Sequence, residues 1–307
     1  MTITVFGSIN MDLVARTPRL PAPGESLTGH SFQTYPGGKG ANQAVACARL
    51  GGATRMVGRV GGDAFSRELL AGLKSAGVDH EAVSIDSETS AGVALIAVDD
   101  VAENTIVMVP GANGRVDESD LRRLEAALDG ASVLLLQLEV PLPMVLAAAG
   151  AAHARGVRVV LDPAPAQPLP ETIYEHLDFL TPNETEAGSL VGFPVDSLET
   201  AAQAARALRD RGARNVVVKM GAQGVYALLE GEESFFQAFR VQAVDTVAAG
   251  DAFNGALAAA LSEGRPVEEA IRWGLAGGAL AVTRHGAQPA MPTRTELLAL
   301  LQAQKVD

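Results

Sequence analysis

The runs Val133–Leu136 and Val157–Leu161 are apolar without alternation. A strand with one wet face alternates polar and apolar residues, so unbroken runs belong to strands buried on both faces. Such strands need helices above and below them. Pro143–Arg155 reads as the helix joining these two, and strand-like and helix-like segments alternate through most of the chain. The pattern predicts an α/β fold, with a mostly parallel central sheet flanked by helices.

Thr2–Gly7, Arg55–Val60, Val133–Leu138, Val157–Asp162, Phe179–Thr181, Asn215–Met220 and Val225–Leu229 read as the strands of that sheet. Helices are expected over Ala41–Leu50, Ala64–Ala76, Glu118–Leu128, Glu184–Val191 and Leu198–Arg211, then from Asp251 through Leu261, over Val267–Val282 and over Thr293–Gln304. Four segments do not fit. Asp12–Arg16 and Leu27–Tyr35 alternate like strands with one exposed face, and Gly92–Val98 and Asn104–Val109 form a hairpin across Asp99–Glu103. These two pairs predict a small discontinuous β-sheet lid, within 12–35 and 92–109, on a single domain spanning 1–307.

The net charge of −12 argues against nucleic acid or an anionic membrane as partner, but leaves nucleotides open, since local amides and one or two cations can hold phosphate. A single cysteine, Cys47, excludes an internal disulfide and suits a reducing, cytoplasmic setting. The N-terminus lacks a basic signal-peptide head. The most apolar stretch, Val133–Ala152, carries Gln137, Glu139, Pro141 and Pro143 and is no membrane span.

Several stretches bear chemistry. In Asp245–Leu257 the small residues Ala248, Ala249 and Gly250 allow a tight turn into a helix. Helix-opening amides without partners can hold a phosphoryl group, and Asp251 beside them is either an N-cap or a catalytic base. Asn10 and Asp12 follow the first strand and suit adjacent hydroxyls, or an Asx turn. Gly37-Gly38-Lys39-Gly40-Ala41-Asn42-Gln43 opens a helix but is neither a Walker A loop nor a dinucleotide fingerprint. Glu139 ends an apolar strand, as a hydroxyl acceptor or a surface carboxylate. Asn183 and Glu186 form either a capping box or a place for hydrated Mg²⁺, and Lys219–Gly224 is a hairpin or a turn against a nucleotide.

In their order along the chain these stretches resemble the ribokinase/PfkB family of sugar kinases, from Gly7 to about Pro292. Two signatures carry the likeness, Gly37–Ala44 and Asp245–Asp251 with the following helix, about 200 residues apart. The resemblance implies ATP-dependent phosphorylation of D-ribose at O5. It implies Asp251 as general base and the amides of Ala248, Ala249 and Gly250 as anion hole. Asn10, Met11, Asp12, Gly38, Lys39, Gly40, Ala41, Asn42 and Glu139 would bind the sugar. Asn183, Lys219, Met220, Gly221, Ala222, Gln223, Gly224, Gly250, Asp251 and Leu275 would contact ATP. Glu186 would hold Mg²⁺ through water, and Asp245, Val247, Ala281, Arg284, Gly286 and Ala290 a monovalent cation, usually K⁺. A homodimer through the lid sheets is typical of the family.

Some positions depart from the family pattern. Lys219 stands where threonine or serine is frequent, Leu275 where histidine or asparagine often meets adenine, Ala290 for serine and Ser66 for glycine. A related kinase acting on deoxyribose, a nucleoside or another furanose fits the same residues. Outside enzymes the alternative is a sugar or nucleotide sensor, which would have no need of Asp251.

Overall fold

The structure is a computed structural model that describes residues 1–101 and 103–304. Ala102, in the turn of the expected hairpin, lies outside the described residues. In chain order the first half runs β1 (Thr2–Phe6), β2 (Asn10–Arg16), β3 (Ser31–Gly37), α1 (Lys39–Arg49), β4 (Ala53–Gly61), α2 (Ala64–Ser75), β5 (Val83–Asp86), β6 (Gly92–Val98), β7 (Asn104–Val109), α3 (Glu118–Ala127) and β8 (Ala131–Leu136). The second half runs α4 (Leu142–His153), β9 (Arg158–Leu161), β10 (Phe179–Leu180), α5 (Glu184–Val191), α6 (Leu198–Asp210), β11 (Asn215–Lys219), β12 (Gly224–Leu229), β13 (Glu232–Gln237), α7 (Ala249–Ser262), α8 (Val267–Ala281) and α9 (Arg294–Ala303).

Nine strands form one sheet in the order β13-β12-β11-β10-β9-β8-β1-β4-β5. It is parallel from β5 to β11 and antiparallel over β11-β12-β13. Two apolar layers cover it. Val133 and Leu135 of β8 face one core, with α1, α7 and α8, while Leu134 and Leu136 face the other, with α4 and α6. The unbroken apolar runs are thus period-two strands with both faces buried, each large side chain stabilising the fold by roughly 1.5–3 kcal/mol. Two edge strands escape the apolar pattern. β5 is four residues long, and β13 carries Glu232 and Glu233 on an exposed edge.

The sheet order reverses at β1, which sits between β8 and β4. Crevices at the carboxyl ends of strands flanking such a reversal are where open α/β sheets bind ligands. The chain leaves β1 there and after Gly7–Ile9 enters β2 of the second sheet, ordered β3-β2-β6-β7. Its four strands overlap the four segments expected to form a small second sheet, with shifted ends. Residues 27–30 are not strand, because Gly29 and His30 cross close to Arg16, and pairing starts only at Arg16 with Ser31.

Candidate active site

The glycine-rich segment approaches protein as much as it could approach a ligand. Gly38 has φ 85°, and a Cβ there would lie 2.6 Å from the Asn10 amide nitrogen. At Gly40 a Cβ would meet the backbone of Gly7 and Ser8 at 2.7 Å. These contacts press the start of α1 against the exit of β1. Met11 and Ala41 turn their side chains into the core, so among the expected sugar contacts they belong to the scaffold.

Glu139 is not a solvated carboxylate. Its Oε2 accepts from the amide of Lys39, the first residue of α1, at 3.0 Å, and from the Ser8 hydroxyl. It therefore stabilises the positive end of α1. Asn10 is buried, and its Oδ1 accepts from Asn113 Nδ2 at 2.6 Å, while its own Nδ2 has no partner among the described residues. Asp12 sits beside these groups. Burial, then Glu139 and Asp251, push its carboxyl up to about 7, against the pull of Lys39. Lys39 is half-buried rather than a solvated surface lysine. Burial would depress it, but Asp251, Asp162, Glu139 and Glu186 together hold it above the ordinary lysine range.

Asp251 does not cap its helix. The N-cap of α7 is Ala248, in the left-handed conformation at φ 58°. For a residue with a Cβ that costs on the order of 1 kcal/mol, and it bends the chain into the helix. The Ala249 amide makes a long 3.4 Å bond to Thr246 O, while among the described residues the amides of Ala248 and Gly250 have no partner. Asp251, in the first turn, is buried and accepts from Asn42 Nδ2 at 2.9 Å and Gln43 Nε2 at 3.1 Å. Burial raises its carboxyl to about 6; Lys39 and the two amide hydrogen bonds oppose that rise, and Asp162 adds to it.

Three buried residues complete this network without having been assigned a role from sequence. Asp162 follows β9, accepts from Gln43 Nε2 at 3.0 Å and pairs with Lys219 Nζ at 2.8 Å. Gln137 donates to Gln43 Oε1 at 2.6 Å. A carboxylate at the end of a buried parallel strand, facing a lysine at the end of another, was the available signal for Asp162.

A cavity of about 880 Å³ opens beside Lys39 and Asp251 and runs between β12, β13 and α8. Asn183, Lys219, Gly221, Ala222, Gly224, Gly250 and Leu275 line it, with Asp162 and Glu186. Met220 and Gln223 do not: Met220 is in the core, and Gln223 is exposed. Asn183 and Glu186 form a true capping box, with Asn183 N and Nδ2 donating to the Glu186 carboxylate at 2.8 and 2.9 Å. The same carboxylate lines the cavity, and burial followed by Asp162 pushes it up. Among the described residues no group of three or more acidic, histidine or cysteine side chains could ligate a metal directly.

Asp245 ties the loop before α7 to the loop after α8. Its oxygens accept from the amides of Val247 and Gly286, both at 3.0 Å. Ala281 ends α8. Arg284 pairs its side chain with Glu296, and since a guanidinium has no acceptor atom its carbonyl is the one oxygen it could offer. Ala290 is buried in the short turn Gln288–Ala290. Ser66 lies in the first turn of α2, bonded to Asp63 and outside the cavity lining. No helix among the described residues is long and apolar enough to cross a membrane.

This geometry has close counterparts. The chain is 43% identical over 301 residues to the ribokinase of Haemophilus influenzae, covering 98% of each chain. It is 38% identical over 294 residues to the deoxyribokinase of Salmonella typhi, covering 95% of this chain and 96% of that one. The solved structure of Arabidopsis thaliana ribokinase complexed with ribose and ATP superimposes with a TM-score of 0.90 at 34% identity, over 100% of this chain and 99% of that chain. The description of the pfkB family of carbohydrate kinases matches residues 2–294, and the chain belongs to that family.

Proposed function

We propose that the chain transfers the γ-phosphoryl group of ATP to O5 of D-ribose, giving D-ribose 5-phosphate. The observation that carries this reading is Asp251. A buried carboxylate raised to about 6 stands in the first turn of a helix whose opening amides at Ala248 and Gly250 have no partner. A carboxylate with a pKa just below neutrality is ionised at working pH and basic enough to take a hydroxyl proton. The relatives named as ribokinases support the same reading.

In this reading the sugar lies against Asn10, Asp12, Lys39, Asn42 and Glu139, with Gly38 and Gly40 shaping the floor. Asp251 draws the proton from O5 as the oxygen attacks phosphorus. The amides of Ala248, Ala249 and Gly250, with the field of the α7 N-terminus, hold the charge on the equatorial oxygens. ATP occupies the cavity, its base toward Leu275 and its phosphates toward Asn183, Lys219 and the turn from Gly221 to Gly224.

Glu186 would hold hydrated Mg²⁺ through water, with Asp162 near it, and the bound ion would neutralise phosphate charge. Mg²⁺ commonly keeps several waters and is held by one or two carboxylates together with substrate phosphates, which a site with Glu186 and Asp162 on its lining would allow. Asp245 and the carbonyls of Val247, Ala281, Arg284, Gly286 and Ala290 make a hard oxygen set fit for K⁺, which would stiffen the loop beneath the anion hole.

A homodimer through the lid is part of the proposal. Phe32, Leu95 and Val107 are exposed on one face of the small sheet, an apolar patch that a second copy would cover. The protein would work in the cytoplasm, where its single thiol stays reduced.

ADP release measured with a panel of pentoses, hexoses and nucleosides tests the assignment. Mg²⁺-dependent turnover of ribose is expected. Turnover of another acceptor without ribose would overturn the substrate, and the deoxyribokinase relative makes deoxyribose the competitor to include.

A further inference from the structure

Gln43 is wholly buried and has one carboxamide with three partners. Its Nε2 lies 3.0 Å from Asp162 Oδ2 and 3.1 Å from Asp251 Oδ1, and its Oε1 lies 2.6 Å from Gln137 Nε2. Ionised carboxylates only accept hydrogen bonds, so the NH₂ of Gln43 must face the two aspartates and its carbonyl must face Gln137. The opposite orientation would set an oxygen against two carboxylates and an NH₂ against an NH₂. Gln137 in turn must present its own NH₂, which points its Oε1 toward residue 7. A Cβ there would lie 2.0 Å from that oxygen, and residue 7 is glycine.

We propose that Gln137 locks the carboxamide of Gln43, and that the locked amide holds the Asp251 carboxylate where it can take the sugar proton. Both glutamines are positioning residues, and this role rests on the reading of Asp251 as the base. The same NH₂ group also grips Asp162, which holds Lys219 at 2.8 Å. The base on the sugar side and the lysine on the nucleotide side therefore share one rigid frame. Fixing such groups to within a fraction of an ångström is what phosphoryl transfer requires of a protein.

Steady-state kinetics on Asp251→Asn, Gln43→Leu, Gln137→Leu and Gln137→Glu tests the lock. Glutamate at 137 has nearly the volume of glutamine but cannot donate when ionised. It would accept from the Gln43 NH₂, turn that amide over and present its carbonyl to Asp251. The expected result is a kcat loss of about 10- to 100-fold in Gln43→Leu, and a larger loss in Gln137→Glu than in Gln137→Leu, with KM for ribose and ATP within about threefold of wild type. A role in packing alone would reverse the order of the two Gln137 variants.

Asp251→Asn separates the two readings. Normal turnover in that variant overturns the base assignment itself. An inactive Asp251→Asn beside a Gln137→Glu enzyme with wild-type kcat overturns the lock and leaves the base standing. Because buried substitutions can unfold a chain, the wild-type enzyme supplies a second measurement. The side-chain NH₂ resonances of Gln43 should move in a pH titration as Asp251 ionises among Lys39, Asp12 and Asp162, and unmoved resonances would also overturn the lock.

Discussion

Gly37 leaves the space that the Asp12 carboxylate occupies. A Cβ at residue 37 would lie 2.4 Å from Asp12 Oδ2 and 2.6 Å from Cγ, so the whole carboxylate would have to swing away. The two residues sit on paired strands, with Gly37 opposite Asn10. Gly37→Ala should raise KM for ribose about tenfold or more while leaving KM for ATP near wild type, since one good hydrogen bond to a charged group contributes about 1.5–3 kcal/mol. Equal changes in the two constants would count against Asp12 as a sugar ligand.

Asp251→Asn should lower kcat by about 10²–10⁴-fold, the usual worth of a general base. It should also make the protein more stable at alkaline pH. The folded-state pKa of Asp251 is raised, so its ionisation opposes folding, and that penalty grows as pH rises from 3.8 through about 6. Asparagine removes the penalty, worth at most about 3 kcal/mol. Thermal melts of wild type and variant should diverge at pH 8 and converge near pH 4. Divergence at pH 4 alone would have the wrong sign.

Activity should fall on the acid side as Asp251 takes up its proton, with a midpoint near pH 6 in kcat/KM, the constant that reports the free enzyme. Sugar binding should report a second group. Asp12 is raised to about 7, chiefly by burial and then by Glu139, so ribose should bind more tightly as pH rises through 7 and the carboxylate ionises. Glu139→Gln removes the second cause and should move that midpoint downward. Ribose titrations across pH 5.5–8.5 on both proteins read the shift directly.

Lys219 and Asp162 form a buried pair at 2.8 Å. Removing the cation alone leaves an uncompensated buried carboxylate, so Lys219→Met should destabilise the fold by about 3–5 kcal/mol and raise KM for ATP. Adding Asp162→Asn to that variant should restore much of the stability without restoring ATP affinity. Urea unfolding of the single and double variants checks the coupling, and simple additivity would argue against it.

Val107 pairs with Leu95 on an exposed face of the small sheet. Placing a charge there with Val107→Glu should convert a homodimer to monomer in light scattering at micromolar concentration. A wild-type protein already monomeric under those conditions would remove the dimer from the proposal.

The α/β layering was legible because β8 and β9 announce two-sided burial in their composition, and every strand of the small sheet was visible as a departure from that pattern. β5 and β13 were not, because short exposed edge strands need no apolar signature. Among the site residues, Asp251 and Lys39 lay in motifs that stand out along the chain. Asp162 and Gln137 lay in no such motif: Asp162 ends a buried strand and Gln137 stands two residues before Glu139, but neither placement names Gln43, the distant side chain that both meet.

Local sequence decided where helices start, which strands are buried and that small residues precede Asp251, since those depend on neighbours within a few positions. Only the tertiary structure decided that Asp251 is held by Asn42 and Gln43 from over 200 residues away rather than capping its own helix. The protonation of Asp12 and Asp251 was decided there too, because burial and nearby charge depend on which distant segments meet, and chain order does not record those distances.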